Sequence, residues 1–330
     1  MLLRSLPGRG AAAAVIIIAA AAVTTALLPA STALAATLPT PTATATVVTT
    51  TPSAGIGGLP ASSLDGKVEY LPATGASSAG PKASNLAPTF GSSGGAAATG
   101  YDVSWPQCGG PMPSSSAMAI VGVDDGHPFS QNPCLQQELQ WASTATQRGL
   151  YMVVDSPVGW SSARVSEYAD YGPAGDCAST DYVCQSYNWG YNAAYADVAY
   201  AESEGATSPQ WWLDVELPTS TSINPSGADC DVANFWVCDP KLNSTVVLAA
   251  AAALREQGKQ VGVYSTQSQW QAITGGLPLA VPIWIAGYDY GPTTYCDPAN
   301  AATYWFASGD PALVQSIPTA FDPDTSCSTY

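Results

Sequence analysis

Between residues 101 and 330, short apolar runs alternate with longer stretches of helical period. Runs at 101–105, 119–123, 150–155, 211–216, 260–265, 282–287, 303–307 and 313–317 have strand length and are rich in β-branched and aromatic residues. Residues 135–148, 191–205 and 242–257 place apolar side chains at helical spacing, and Gly258 stops the last of these; a brief helix is expected at 270–274. Strands alternating with helices predict a parallel sheet with the helices outside it. Eight strands with abbreviated late helices fit an α/β fold of one domain, a (β/α)8 TIM-like barrel. A doubly wound open sheet is the competing arrangement.

The first hundred residues lack this alternation. Arg4 and Arg9 precede an apolar stretch at 11–28, and Ala33-Leu34-Ala35 follows as a small-residue site, which predicts a signal peptide over 1–35 cleaved after Ala35. An uncleaved anchor is the alternative, because the stretch approaches the roughly 20 residues that span a bilayer. Residues 36–100 are Ala, Thr, Pro, Ser and Gly with almost no charge. Such a tract is too poor in large apolar side chains to form a core and reads as a linker or tether. Leu71-Pro72-Ala73-Thr74-Gly75 matches the pattern that sortases cleave, but no apolar segment and basic tail follow it, and coincidence within this composition is the simpler reading. The folded domain is therefore expected over 101–330.

All ten Trp and all eight Cys fall in that domain. An even cysteine count in an exported chain points to disulfides, with Cys177/Cys184 and Cys230/Cys238 as short clips. Cys108 with Cys134 and Cys296 with Cys327 complete a sequential pattern, although spacing alone leaves connectivity open. A zinc site is poorly supported, since there is no C-x-x-C pair and His127 is the single histidine. That histidine, between Gly126 and Pro128 in an apparent turn, is a poor base for a Ser-His-Asp or Cys-His arrangement. The formal charge of −16 disfavours phosphate backbones and anionic lipid surfaces as partners. Chemistry must rest on carboxylates.

The run Trp211-Trp212-Leu213-Asp214-Val215-Glu216 carries two of them at i and i+2. On a strand both project from one face, with Cα atoms roughly 6.5 Å apart. Crowded acids separate their pKa values, which suits a reaction needing one acid and one carboxylate. A strand end with two solvated acids is the plain alternative. In a barrel the active site occupies the C-terminal strand ends, and Asp102, Asp124, Asp125, Asp214, Glu216 and Asp322 fall there. Asp155, Asp289 and Asp310 read more simply as solvated strand ends or loop caps. Trp105, Trp160, Trp189 and Trp212 offer flat faces on which a sugar ring could pack, though most tryptophans serve the core.

Several of these segments together carry a family resemblance. Tyr101-Asp102-Val103-Ser104-Trp105-Pro106-Gln107 resembles the opening DVSxxQ strand of glycoside hydrolase family 25, the Chalaropsis-type lysozymes that cleave peptidoglycan. The segment 119–126 resembles the second strand, with Asp125 where the family has glutamate. Leu213-Asp214-Val215-Glu216 matches the family's DxE pair. Val261-Gly262-Val263-Tyr264-Ser265 with Trp270, the Trp284-Ile285-Ala286 pattern, Val314-Gln315 and Phe321-Asp322-Pro323-Asp324 follow in the family's order. The third strand lacks the family's Tyr-His pair, and Ser316 stands where an aromatic is usual. These departures resemble an actinobacterial, disulfide-rich branch.

The resemblance implies a secreted or cell-wall-associated monomer that hydrolyses the β-1,4 bond between N-acetylmuramic acid and N-acetylglucosamine. It implies Glu216 as general acid, raised by Asp214 and partial burial, with an ionised Asp214 orienting the N-acetyl group or stabilising the transition state. Asp102 joins them as a catalytic residue, and Asp322, Asp125, Trp105, Gln107, Trp284 and Gln315 would contact the glycan. No metal or cofactor is implied, and no nucleic acid or membrane partner after signal cleavage. A catalytically silent barrel that binds wall glycan is the alternative from another class.

Overall fold

The computed structural model describes residues 97–114, 116–157, 166–217, 235–317 and 320–327, all within one compact unit. The expected signal peptide, the 71–75 motif, Trp160 and Cys230 lie outside the described residues, as does nearly all of the linker.

Eight strands close into a barrel in chain order. They are β1 (Thr99–Val103), β2 (Met118–Gly122), β3 (Gln147–Val153), β4 (Gln210–Asp214), β5 (Gln260–Ser265), β6 (Ile283–Ala286), β7 (Pro311–Gln315) and β8 (Asp322–Ser326). β1 to β7 pair in parallel, whereas β8 runs antiparallel to both β7 and β1. The expected barrel is present with its last strand reversed. The predicted seventh strand at 303–307 is instead the end of a short helix and a turn, and the predicted eighth is β7. β8 reads Asp-Pro-Asp-Thr-Ser. Its acids and proline hide the strand from a search for apolar runs.

Outside the barrel lie α1 (Leu135–Ala142), α2 (Tyr182–Ser203), α3 (Pro240–Glu256), α4 (Gln267–Thr274), α5 (Pro292–Cys296) and α6 (Ala301–Tyr304), so the late helices are short as expected. α1 stops before 148 because Gln147 and Arg148 already pair with Met118 and Ala119 of β2. α2 starts at Tyr182 rather than 191, because the Asp181 side chain accepts the Cys184 N–H at 3.1 Å and satisfies a donor of the first turn.

Strand alternation divides the apolar residues into two cores. Met118, Ile120, Trp212, Tyr264, Trp284 and Leu313 fill the barrel interior. Val121, Met152, Leu213, Val263, Ile285 and Val314 face outward and pack with helical residues such as Val198, Val246 and Leu254. The indole of Trp212 needs a bare neighbour: a Cβ on Gly262 would lie 2.2 Å from its ring. α2 and α3 touch through Gly190, where a Cβ would meet the Val246 carbonyl oxygen at 2.2 Å.

Disulfides join Cys108 to Cys134, Cys177 to Cys184 and Cys296 to Cys327. They follow the sequential pattern, and the last ties the end of α5 to the residue after β8.

Candidate active site

The apolar β4 continues past its last ladder residue. The Asp214 carbonyl accepts the Val154 N–H, and the Val215 N–H donates to the Tyr264 carbonyl, both at 3.0 Å. The Trp236 indole then donates to the Glu216 carbonyl at 2.9 Å, and the Leu217 N–H donates to Gln269 Oε1 at 2.7 Å. Pinned on both sides, this segment turns Asp214 and Glu216 into one cavity of about 200 Å³ at the C-terminal ends of the parallel strands. Asp102 and Asp322, register partners on β1 and β8, enter the same cavity. Tyr151, Tyr264, Trp284, Tyr288 and Gln315 complete the lining.

Glu216, Asp214, Asp102, Asp322, Trp284 and Gln315 are thus brought together as the sequence suggested. Trp105, Gln107 and Asp125 are not among the lining residues. Gln107 is spent locally: its Oε1 accepts the Ser104 N–H at 2.9 Å and caps the turn Trp105–Gln107. Trp105 rides on that turn 45% exposed, its indole nitrogen against Gly126. Asp125 is exposed, with its N–H bonded to Ser130 Oγ at 3.0 Å. Its neighbour Asp124 points inward and accepts the Gly126 and Val153 N–H groups at 3.0 and 2.7 Å. Asp124 therefore secures the end of β3, and Asp125 lies at the surface.

Asp155 is buried rather than solvated. Its carbonyl accepts the Trp189 indole N–H at 3.0 Å, and Oδ2 lies 3.9 Å from His127 Nδ1. Asp289 and Asp310 are exposed as expected. Trp189 and Trp212 belong to the core.

The sequence reading overlooked the tyrosines. Tyr264 is the register partner of Asp214 and Trp284 that of Tyr264, while Tyr151 stands opposite Trp212. Register partners in a sheet share a face, so the Asp214 parity, carried across the ladder, would have found them.

Electrostatics distinguish the four carboxyls. Glu216 is pushed up to about 7, first by burial and then by the Asp322 charge. Asp102 is also raised to about 7, by burial and then Asp322, against the lowering effect of its hydrogen bonds. Burial holds Asp214 well above the carboxylate range, with Glu216, Asp124 and Asp102 adding to it. Asp322 is raised by burial alone. Burial therefore raises both members of the pair above the carboxylate range, and the Glu216 charge adds to the effect on Asp214. A chain of hydrogen bonds runs beneath the cavity. Tyr264 Oη donates to Gln315 Oε1 at 2.6 Å, and Gln315 Nε2 donates to Asp102 Oδ2 at 3.0 Å. Among the described residues, no group of three or more His, Cys, Asp or Glu side chains is placed to hold a metal ion.

A closed α/β barrel with acids from its first, fourth and last strands converging among aromatic rings is an architecture of carbohydrate-processing proteins. The chain is 28% identical over 112 residues to a probable family 25 lysozyme of Dictyostelium discoideum, a match that covers 33% of this chain and 45% of the relative. It thus spans less than half the length of that relative. No family model matches the chain. Two solved structures are similar in part. One is a glycosyl hydrolase 25 of Streptococcus pneumoniae, described as a virulence factor participating in host cell invasion (15% identity, 69% of this chain and 86% of that one, TM-score 0.37). The other is the catalytic domain of an endolysin from bacteriophage P40 of Listeria monocytogenes (13% identity, 70% and 93%, TM-score 0.36). Over the matched segment the chain is similar to a family 25 lysozyme, in keeping with the motifs of its strands.

Proposed function

We propose that this protein is a secreted lysozyme-type glycoside hydrolase that cleaves the β-1,4 bond between N-acetylmuramic acid and N-acetylglucosamine in peptidoglycan. The observation that carries this reading is the convergence of Glu216, Asp214, Asp102 and Asp322 on one aromatic-lined cavity, with Glu216 raised to about 7. Hydrolysis of a glycosidic bond needs a carboxyl that still holds its proton near neutral pH beside a carboxylate that does not. Glu216 is the general acid and delivers its proton to the glycosidic oxygen. Asp214 acts in its ionised form, its proton released to solvent, and orients the N-acetyl group or stabilises the positive charge that develops at the sugar's anomeric carbon. Asp102 and Asp322 supply negative charge and acceptors on the opposite wall. Tyr288 and Tyr264 offer hydroxyls to the glycan, and the rings give it apolar faces.

The chain organisation fits export: a signal peptide over 1–35, a linker over 36–100 and the barrel beyond it. Disulfides belong to an oxidising compartment. No helix of the described residues is long and apolar enough to cross a membrane. Purified peptidoglycan is the test substrate, with turbidity and reducing ends as readouts. Glu216→Gln is expected to lower the rate by about 10² to 10⁴. Equal activity in the two proteins would overturn the assignment of the acid, and wall binding without any cleavage by either would favour a silent glycan-binding barrel.

A further inference from the structure

One carboxyl beneath the cavity has no part in the chemistry above. Asp324 lies on β8 and is 1% exposed. Its Oδ1 accepts the Trp284 indole N–H at 2.9 Å, while its Oδ2 is buried and accepts no hydrogen bond. Asp324 is the register partner of Gly100, so it sits one pleat below Asp102 on the adjoining strand, and each carboxyl acts on the other. Facing carboxyl oxygens bond only if a proton lies between them, and the buried, unpartnered Oδ2 of Asp324 is the atom placed to carry one.

The surroundings decide which partner carries it. Asp102 already accepts the Gln315 amide at 3.0 Å, and that amide cannot turn over, because Gln315 Oε1 is taken by the Tyr264 hydroxyl at 2.6 Å. Asp102 also borders the cavity. Asp324 does not, and its one bonded oxygen is served by a neutral donor. A neutral carboxylic acid at 324 satisfies every atom present: its carbonyl oxygen accepts the indole, and its O–H donates to Asp102.

We propose that Asp324 is a positioning residue that stays neutral and donates its carboxyl proton to Asp102, steadying Asp102 as an acceptor between two donors at the cavity floor. The groups facing Asp324 agree with this. Asp102 from β1 and Asp322 from β8 are both acidic, Asp102 in turn raises Asp214 of β4, and Trp284 of β6 supplies the one lowering contact on Asp324. Burial, then the Asp102 charge and the shared bond, push the Asp324 carboxyl well above the usual range. In return the Asp324 and Gln315 bonds pull Asp102 down against its own burial.

The inference concerns a proton and does not require that the glycan be correctly named. The full chain, labelled with 13C at the aspartate carboxyl carbon, gives one resonance that disappears in Asp324→Asn. That resonance is expected at the protonated position throughout pH 5 to 8, and a carboxylate position at neutral pH would overturn the proposal. In hydrolysis, Asp324→Leu removes the donor and is expected to move the acid limb of the pH profile upward. Asn keeps an N–H toward Asp102 and an oxygen toward Trp284, and should restore the limb. A limb displaced as far by Asn as by Leu would equally defeat it. If no protein hydrolyses peptidoglycan, the proposed function fails while the resonance still decides the proton.

Discussion

Glu216 offers the sharpest test, because its titration sets where an acid catalyst can work. An ordinary glutamate at 4.5 would be about 0.3% protonated at pH 7, whereas one raised to about 7 is about half protonated, a gain of roughly 160-fold in the reactive form. On the alkaline side activity is therefore expected to fall through a midpoint near 7 and then drop about tenfold for each further pH unit. Asp322 is the second cause of the shift, after burial. Asp322→Asn removes a like charge, and the alkaline limb should move down by roughly one unit while burial keeps it above 4.5. Initial rates of reducing-end release from peptidoglycan at constant ionic strength, taken from pH 4 to 9, read both limbs. A limb near 4.5 in the wild type, or one unmoved or raised in Asp322→Asn, would refute the reasoning.

Two further predictions concern stability. Asp102, Asp124, Glu138 and Glu216 are all raised to about 7 by burial, so the folded state binds protons that the unfolded chain releases near 4. Their contribution is full below the unfolded values and is lost as pH rises through 7, so the melting temperature should fall between pH 5 and 8; a rise across that range in a fluorimetric melt would contradict the buried-acid account. Gly262→Ala places a Cβ 2.2 Å from the Trp212 ring, against roughly 3.5 Å for an ordinary carbon contact, and should cost about 1–3 kcal/mol or more in urea unfolding. A second substitution, Trp212→Leu, which opens that space, should make the Gly262→Ala change less costly, and strict additivity of the two would be evidence against the contact.

Much of this molecule could be read before its structure. β4 announces itself because both its faces are buried, which leaves a continuous apolar run ending in the two acids. The family motifs placed Asp102, Trp284, Gln315 and Asp322 in one cavity. β8 was invisible for the opposite reason, since its inward positions are acids and Pro323 interrupts its pattern. Trp105, Gln107 and Asp125 failed differently. Each lies in a motif at a strand end yet is absent from the cavity lining: Gln107 is engaged with the Ser104 N–H, and Trp105 and Asp125 are exposed, which spacing alone does not reveal. Tyr151 and Tyr264 needed the register between strands, a property of pairs of segments rather than of any one, and Tyr288 lies past the end of β6 where no ladder reaches.

The reversal of β8 fixes the geography of the domain's two ends. A parallel strand would have arrived at the mouth; β8 departs from it, so the chain leaves the barrel at the base, where the Ser326 N–H donates to the Ala98 carbonyl at 2.8 Å and Ser326 Oγ accepts the Ala98 N–H at 2.8 Å. Entry and exit thus share one pole, and the carboxylates occupy the other. A label attached at Ala98 or at Cys327 would therefore stand at the pole away from the carboxylates.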